Sequence, residues 1–194
     1  MGKGSTRDIW LVRHGETEWA RNGRHTSVTD VALTEAGEAE ARALRERLAS
    51  VPFKVVLTSP RIRARRTAEL AGYPDAEVTE DLVEWAYGHY EGLTTAEIHR
   101  RDPGWTIWER GGPGGESPTD VTARLDRLVA RLHAAPGPIL CFGHGHAFRA
   151  LGARWIGRPV GLGASLALDP GATCILGTDR RTPQLAAWNL PSGG

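Results

Sequence analysis

Short apolar runs and amphipathic stretches alternate along the chain. Residues 8–13, 55–59 and 138–142 form brief hydrophobic runs, and 166–168 and 174–177 are shorter ones of the same character. Such runs predict strands of a mainly buried sheet, with 185–188 as a possible edge strand. Between them, apolar residues recur at helical spacing. After Thr34 come Ala41, Leu44 and Leu48, with Glu35 and Glu38 early and Arg45 and Arg47 late, the order a helix dipole favours. A second helix is predicted from Ser59-Pro60, with proline at its first position, to a stop at Gly72. A third follows the capping-box-like Ser117-Pro118-Thr119-Asp120 and aligns Val121, Leu125, Leu128 and Leu132 on one face. A fourth opens after Gly143-His144-Gly145-His146 and continues to about Ile156. Strands interleaved with helices predict a doubly wound α/β sheet.

Bulk properties narrow the partners. The 194 residues suit a single domain spanning 1–194, and a net charge of +1 gives no global field toward nucleic acid or an anionic membrane. No run approaches membrane-spanning length, and the polar start from Met1 to Arg7 holds no apolar stretch suited to a signal peptide. Met1-Gly2 with Thr6 matches a myristoylation start only formally. Cys141 and Cys174 lie in apolar runs without disulfide-framework or metal-site spacing, so reduced, buried thiols and a cytoplasmic location are expected. Gly111-Gly112-Pro113-Gly114-Gly115 is expected to be a mobile loop, and the tail from Pro191 to be frayed.

Candidate chemistry gathers at strand ends. The first strand runs straight into Arg13-His14-Gly15-Glu16-Thr17. Open α/β sheets bind ligands just outside the carboxyl ends of their strands. A guanidinium fork there suits a phosphate or carboxylate, and the imidazole can act as nucleophile or acid/base. A chance Arg-His pair ending a strand is the plain alternative. The strand ending at Phe142 is followed by Gly143-His144-Gly145-His146, again placing histidine at a carboxyl end. Phe148 stands where a dinucleotide fingerprint needs its third glycine, and no phosphate-loop sequence exists elsewhere. A metal held by His14, His144 and His146 lacks a supporting i, i+4 histidine pair or convergent carboxylate, so no metal is assigned.

The second strand leads into Arg61, Arg63, Arg65 and Arg66. Arg61, Arg65 and Arg66 are expected to be solvated, and Arg63 to face an anion pocket at the helix start. Glu84, beside Trp85 and Tyr87, suits a partly desolvated proton donor, although Glu80, Asp81, Glu84 and Glu91 could all be surface charges. Together these residues form a plausible phosphoryl-transfer set. Neutral His14 would attack phosphorus, and Arg13, Arg63 and a protonated His144 would hold the phosphate oxygens. Glu84 would protonate the leaving oxygen and then activate water. No metal or other cofactor is required, because cationic side chains supply the charge stabilisation.

At this point the chain resembles the histidine phosphatase superfamily, also called phosphoglycerate-mutase-like. The resemblance runs from Leu11 to about Gly177 and rests on four blocks in order. They are Arg13-His14-Gly15-Glu16-Thr17, Ser59-Pro60-Arg61-Ile62-Arg63-Ala64 with Thr67-Ala68, Glu84 before Tyr87-Gly88, and Gly143-His144-Gly145. It implies a three-layer α/β fold with a mostly parallel central sheet and helices on both faces. It also implies catalytic roles for His14, Arg13, Arg63, Glu84 and His144, and a substrate side lined by Thr26, Ser27, Tyr87, Gly145 and His146. The first two have a plain reading as loop residues, and His146 as a helix cap. Ala20 departs from the Asn or Ser of many members, and Ser27 from a commoner glycine.

Trp85-Ala86 replaces the paired basic residues that follow the acid in glycolytic mutases. With Trp105, Trp108 and Gly115-Glu116, it resembles a branch of sugar-phosphate and broad acid phosphatases such as sedoheptulose bisphosphatase. The expected activity is phosphomonoester hydrolysis through a phosphohistidine, on small phosphorylated metabolites such as sugar phosphates. The expected partner is that small molecule, with a homodimer possible. Cofactor-dependent phosphoglycerate mutase and a non-catalytic phospholigand-binding relative are the alternatives. Trp105 and Trp108 could cover the pocket or pack in the core.

Overall fold

The computed structural model describes residues 8–193. The myristoylation reading at Met1-Gly2 and the last residue of the tail, Gly194, lie outside that range. Six strands form one sheet: β1 (Ile9–Arg13), β2 (Val55–Thr58), β3 (Glu77–Val78), β4 (Ile139–Gly143), β5 (Thr173–Asp179) and β6 (Thr182–Leu190). The helices are α1 (Glu18–Arg21), α2 (Glu35–Ala49), α3 (Ile62–Leu70), α4 (Thr95–His99), α5 (Ile107–Arg110), α6 (Pro118–Ala134) and α7 (Gly145–Trp155). The spatial order is β3-β2-β4-β1-β5-β6. The first four strands run parallel, and β5 and β6 are antiparallel additions at one side.

Alternation along the central strands builds two cores. Val12, Leu140 and Phe142 pack with Leu44 and Leu48 of α2 and Ala68 of α3. Leu11, Ile139 and Cys141 turn the other way, toward Leu125 and Leu128 of α6 and Leu151 of α7. Side chains two apart share a sheet face, so this pattern is the three-layer arrangement written into the strands. The connection after β1 therefore crosses one face and that after β4 the other, which opens a crevice between their carboxyl ends. Arg13 pairs in register with Gly143, and the His14 amide donates to the Gly143 carbonyl at 3.0 Å. Two strand-end histidines thus become neighbours. Among the described residues, no helix is long and apolar enough to cross a membrane.

Several expectations need correction. Residues 166–168 form no strand; they follow a 3-10 turn (Val160–Ser165), and the Leu168 carbonyl accepts from Arg13 Nη1 at 2.5 Å instead of from a ladder. Glu77–Val78 is a strand that periodicity could not reveal, because both residues are exposed. The hairpin partner β6 is longer than the predicted edge strand. Helix α3 begins at Ile62, with Arg61 as N-cap and Pro60 before it. Asp30 Oδ1 accepts the Ile62 amide at 3.0 Å, supplying the cap from another loop.

The glycine-rich stretch is packed instead of free. Gly115 approaches so closely that a Cβ there would lie 2.1 Å from the Ala86 carbonyl oxygen. The Pro113 carbonyl accepts the His89 amide, and Ala86 accepts the Glu116 amide. Glycine is thus required for backbone contact behind Glu84, not for a mobile linker.

Candidate active site

Arg13, His14 and Glu84 line a cavity of about 170 Å³ at the carboxyl ends of β1 and β4, together with Thr26, Tyr87, Gly145 and His146. Arg63 and His144 lie behind that wall, both fully buried. The His14 and His144 rings meet edge-on with centroids 5.2 Å apart. All five predicted catalytic residues therefore belong to one neighbourhood, three at the cavity surface and two behind it.

His14 Nδ1 lies 2.8 Å from the Gly15 carbonyl oxygen. A carbonyl only accepts, so Nδ1 carries the proton and the lone pair of the neutral ring resides on Nε2. Burial, followed by Arg63 and Arg13, holds the His14 pKa well below the ordinary histidine value. His14 is neutral at pH 7. His144 is depressed likewise, by burial, Arg63, His14, Arg13 and Arg61. Burial and the surrounding cations thus disfavour, in the unliganded site, the protonated state expected of His144 when it holds a phosphate. His144 Nε2 sits 2.8 Å from Ser59 Oγ.

The nucleophile loop owes its shape to a glycine pair that motif reading missed. A Cβ on Gly15 would lie 2.2 Å from the Gly37 carbonyl oxygen, and one on Gly37 would lie 2.1 Å from the Glu16 carbonyl oxygen. The loop thus rests directly on the first turn of α2, and the Gly15 amide donates to Thr67 Oγ1 at 3.1 Å. Gly37→Ala is expected to cost about 3 kcal/mol through backbone overpacking. That corresponds to a melting-temperature fall of roughly 6–12 °C at this chain length. A thermal melt within about 2 °C of wild type would contradict the backbone-contact reading.

Glu84 is held by the start of α7. Its Oε1 accepts the Trp85 amide at 2.9 Å and the Ala147 amide at 2.7 Å, while Oε2 accepts the His146 amide at 3.1 Å. A part-buried ion pair grips the segment on either side of it. Arg124 Nε and Nη2 each donate to Glu116 at 2.8 Å, and Arg124 Nη1 donates to the Asp81 and Val83 carbonyls. Glu116 Oε2 accepts the Ala86 amide at 2.9 Å. The acid is therefore not one of several loose surface charges. Bidentate pairing of this kind fixes geometry as well as energy.

Arg63 faces inward as expected, and its guanidinium donates to the Thr29, Thr26 and Ser27 carbonyls at 3.0, 3.1 and 3.1 Å. Among the described residues, the buried side-chain polar atoms without a partner are Arg13 Nε, Arg61 Nε, Arg63 Nε, His144 Nδ1 and Thr173 Oγ1. Three of these five, Arg13 Nε, Arg63 Nε and His144 Nδ1, belong to the predicted catalytic set. Unpaired buried donors are costly, and this concentration suits an acceptor-rich anion. Arg61 is accordingly corrected from solvated to half-buried, whereas Arg65 is exposed and Arg66 pairs with Glu38 and Glu69.

Ser27 does not line the cavity. It is buried, its hydroxyl bonds to Glu91, and the Tyr87 amide donates to its Oγ at 3.3 Å. Tyr87 Oη and His146 Nδ1 lie 2.7 Å apart. Gly145 lies close against Arg13: a Cβ there would sit 3.2 Å from Arg13 Nε, and the guanidinium would have to give by a few tenths of an ångström. Ala20 lines the cavity, with no side-chain donor where many members carry Asn or Ser.

Trp105 and Trp108 do not cover the cavity. Trp105 is buried against His25 and Tyr90, and Trp108 packs edge-on to Trp85. His25, Arg24 and Arg149 were missed as lining residues. The signal for Arg149 was its place one helical turn after Gly145; His25 was signalled only by adjacency to Thr26. His25 is pushed down to about 4, chiefly by burial.

Among the described residues, no group of three His, Cys, Asp or Glu side chains could hold a metal ion. The model of the histidine phosphatase superfamily, branch 1, matches residues 9–191. An acid phosphatase of Mycobacterium tuberculosis is 40% identical over 186 residues, covering 94% of this chain and 92% of that protein. The sedoheptulose 1,7-bisphosphatase of Saccharomyces cerevisiae is 36% identical over 180 residues, covering 76% and 66% respectively. Bisphosphoglycerate-dependent phosphoglycerate mutases are also among the relatives. A solved structure of a Mycobacterium tuberculosis open reading frame superposes with a TM-score of 0.92 at 38% identity, covering 97% of this chain and 100% of that one. With both the match over residues 9–191 and the fold in agreement, this chain belongs to the histidine phosphatase superfamily.

Proposed function

We propose that the protein is a metal-independent phosphomonoester hydrolase acting on small phosphorylated metabolites, sugar phosphates among them, through a phosphohistidine on His14. The observation that carries this reading is the neutral, buried His14 imidazole, with its lone pair on Nε2, among unpaired guanidinium donors. A phosphoryl group beside it would meet Arg13 at the cavity surface, with the Arg63 and His144 side chains directly behind. Their charge would balance that developing on the non-bridging oxygens. As the phosphate arrives, its negative charge favours the protonated form of His144. Glu84 then gives its proton to the leaving oxygen and, in the second half-reaction, takes one from water.

Trp85 supports hydrolysis over phosphoglycerate mutation. It is buried, with its indole Nε1 bonded to the Glu116 carbonyl, so no cation follows the acid where a mutase would clamp its substrate. The free, buried thiols Cys141 and Cys174 support a reducing, cytoplasmic setting.

The depressed His14 pKa gives a pH test. Protonation would remove the attacking lone pair, and it occurs only well below the ordinary value of 6.5. With phenyl phosphate and a chelator present, kcat/KM is expected to hold as the pH falls through 6.5, once the substrate's own ionisation near pH 6 is divided out. A residual loss centred on 6.5, or dependence on added metal, would contradict the proposal. Faster isomerisation of 3-phosphoglycerate than phosphate release would favour the mutase reading.

A further inference from the structure

We propose that a second cavity, at the amino edge of the sheet and away from the catalytic residues, is a binding site for a flat aromatic carboxylate.

Its floor holds Ile9 and Ile139, the paired first residues of β1 and β4, whose far ends lead to His14 and His144. Leu132 and His133 from the end of α6, Trp155 at the end of α7, and Arg181 form its walls. The cavity measures about 310 Å³, larger than the catalytic one. Ile9, Leu132, Ile139 and Trp155 are buried core residues, so its body is apolar. Small-molecule sites have this character, an apolar body with a few placed polar groups.

Two observations select the ligand. The His133 and Trp155 rings are stacked, with centroids 4.5 Å and planes 18° apart. The Trp155 ring is fixed before any ligand arrives, because its Nε1 donates to the Gly177 carbonyl at 3.0 Å. A flat, preorganised ring pair favours a further aromatic ring.

The second observation is the placement of Arg181. Pairing of Asp179 with Thr182 leaves Arg180 and Arg181 as the two-residue turn of the β5–β6 hairpin, with φ of 45° and 77°. Asparagine and glycine suit such a turn, whereas longer side chains there are strained. A turn alone would gain nothing from arginine, and strained residues concentrate at ligand sites. Among the described residues, Arg181 has no ion-pair partner and no carboxylate lines the cavity. The nearby helix ends do not need its charge. The Ala135 amide takes the Arg131 carbonyl, and the Gly157 and Arg158 amides take those of Arg154 and Ala153. A free guanidinium beside an apolar cavity suits a carboxylate.

Calorimetric titration tests the site with 2-naphthoate, its neutral analogue 2-naphthalenemethanol and its saturated analogue decahydro-2-naphthoate. Wild type is expected to bind one 2-naphthoate per chain, at least about tenfold more tightly than either analogue. The Trp155 indole N–H resonance should shift on binding. Excess orthovanadate, a phosphate mimic for the catalytic cavity, should leave binding intact. Arg181→Gly should weaken 2-naphthoate about tenfold and leave the alcohol unchanged, with a melting temperature no lower than wild type. Arg181→Gln removes the charge but keeps the turn as it is, and decides the matter if the glycine variant melts lower. An unchanged ratio of 2-naphthoate to alcohol affinity in both variants would overturn the proposal. So would displacement by orthovanadate, equal binding of the saturated analogue, or no saturable binding.

Discussion

Replacing His14 by alanine is expected to reduce phosphate release by about 10⁴-fold or more. Loss of a covalent nucleophile removes the reaction path itself, not one contact within it. His144 is not expected to substitute, because it does not line the cavity. Its Nε2 is engaged with Ser59 Oγ, and its ring lies behind the cavity wall instead of on it. The fold should survive, because the loop is held by its backbone: the His14 amide bonds to Gly143, the Gly171 amide bonds to the His14 carbonyl, and Gly15 rests on Gly37. Activity and melting temperature are measured together. A cooperative melt within a few degrees of wild type with turnover near background is the expected pair of results. Turnover within about tenfold of wild type would remove His14 from the mechanism.

Glu84→Gln carries the second large effect, and its size should depend on the substrate. Glutamine keeps one oxygen to accept from the α7 amides but has no acidic proton to transfer. With an alkyl phosphate, whose alkoxide leaves poorly, kcat is expected to fall by about 10²- to 10⁴-fold. With 4-nitrophenyl phosphate, which leaves without help, the loss should be under about tenfold unless dephosphorylation becomes limiting. Burst kinetics would reveal that limit as accumulated phosphoenzyme. Equal losses across a series of leaving groups, with no burst, would show that Glu84 only holds the start of α7.

The central chemistry was legible because it sits at the ends of apolar strands. Residues 8–13 and 138–142 announce buried strands, and each delivers its histidine to the next position outside the sheet. Adjacency of the two strands is a tertiary fact, set by the Arg13–Gly143 register. The inward turn of Arg63 was legible from its block, whereas the half-burial of Arg61 was not. Nothing in a run of four arginines says which ones the 24–30 loop covers. Ser27 looked like a pocket residue because it neighbours Thr26, yet its hydroxyl turns to Glu91. Residues 166–168 read as a strand because three apolar-flavoured positions cannot distinguish a ladder from an extended segment whose carbonyl serves Arg13. Gly37 was hidden inside a good helical pattern. Its reason for being glycine lies at Glu16, twenty-one residues earlier in the sequence.

The same contacts connect stability to function. Gly37 sets the height of the nucleophile loop, Gly145 lies close against the Arg13 guanidinium, and the Glu116–Arg124 pair fixes the segment bearing Glu84. Each acts by holding a charged or reactive group where a phosphoryl group can meet it. Such preorganisation is what makes electrostatic stabilisation effective in a water-poor cavity.

The most direct measurement is to mix enzyme with excess substrate, quench within milliseconds in alkali, which preserves phosphohistidine, and map the phosphate by mass spectrometry and ³¹P NMR. Phosphate should be found on Nε2 of His14, because Nδ1 is committed to the Gly15 carbonyl. It should be absent in His14→Ala. Phosphate on His144 or His146, or steady turnover through direct attack of water with inversion at phosphorus, would contradict the account.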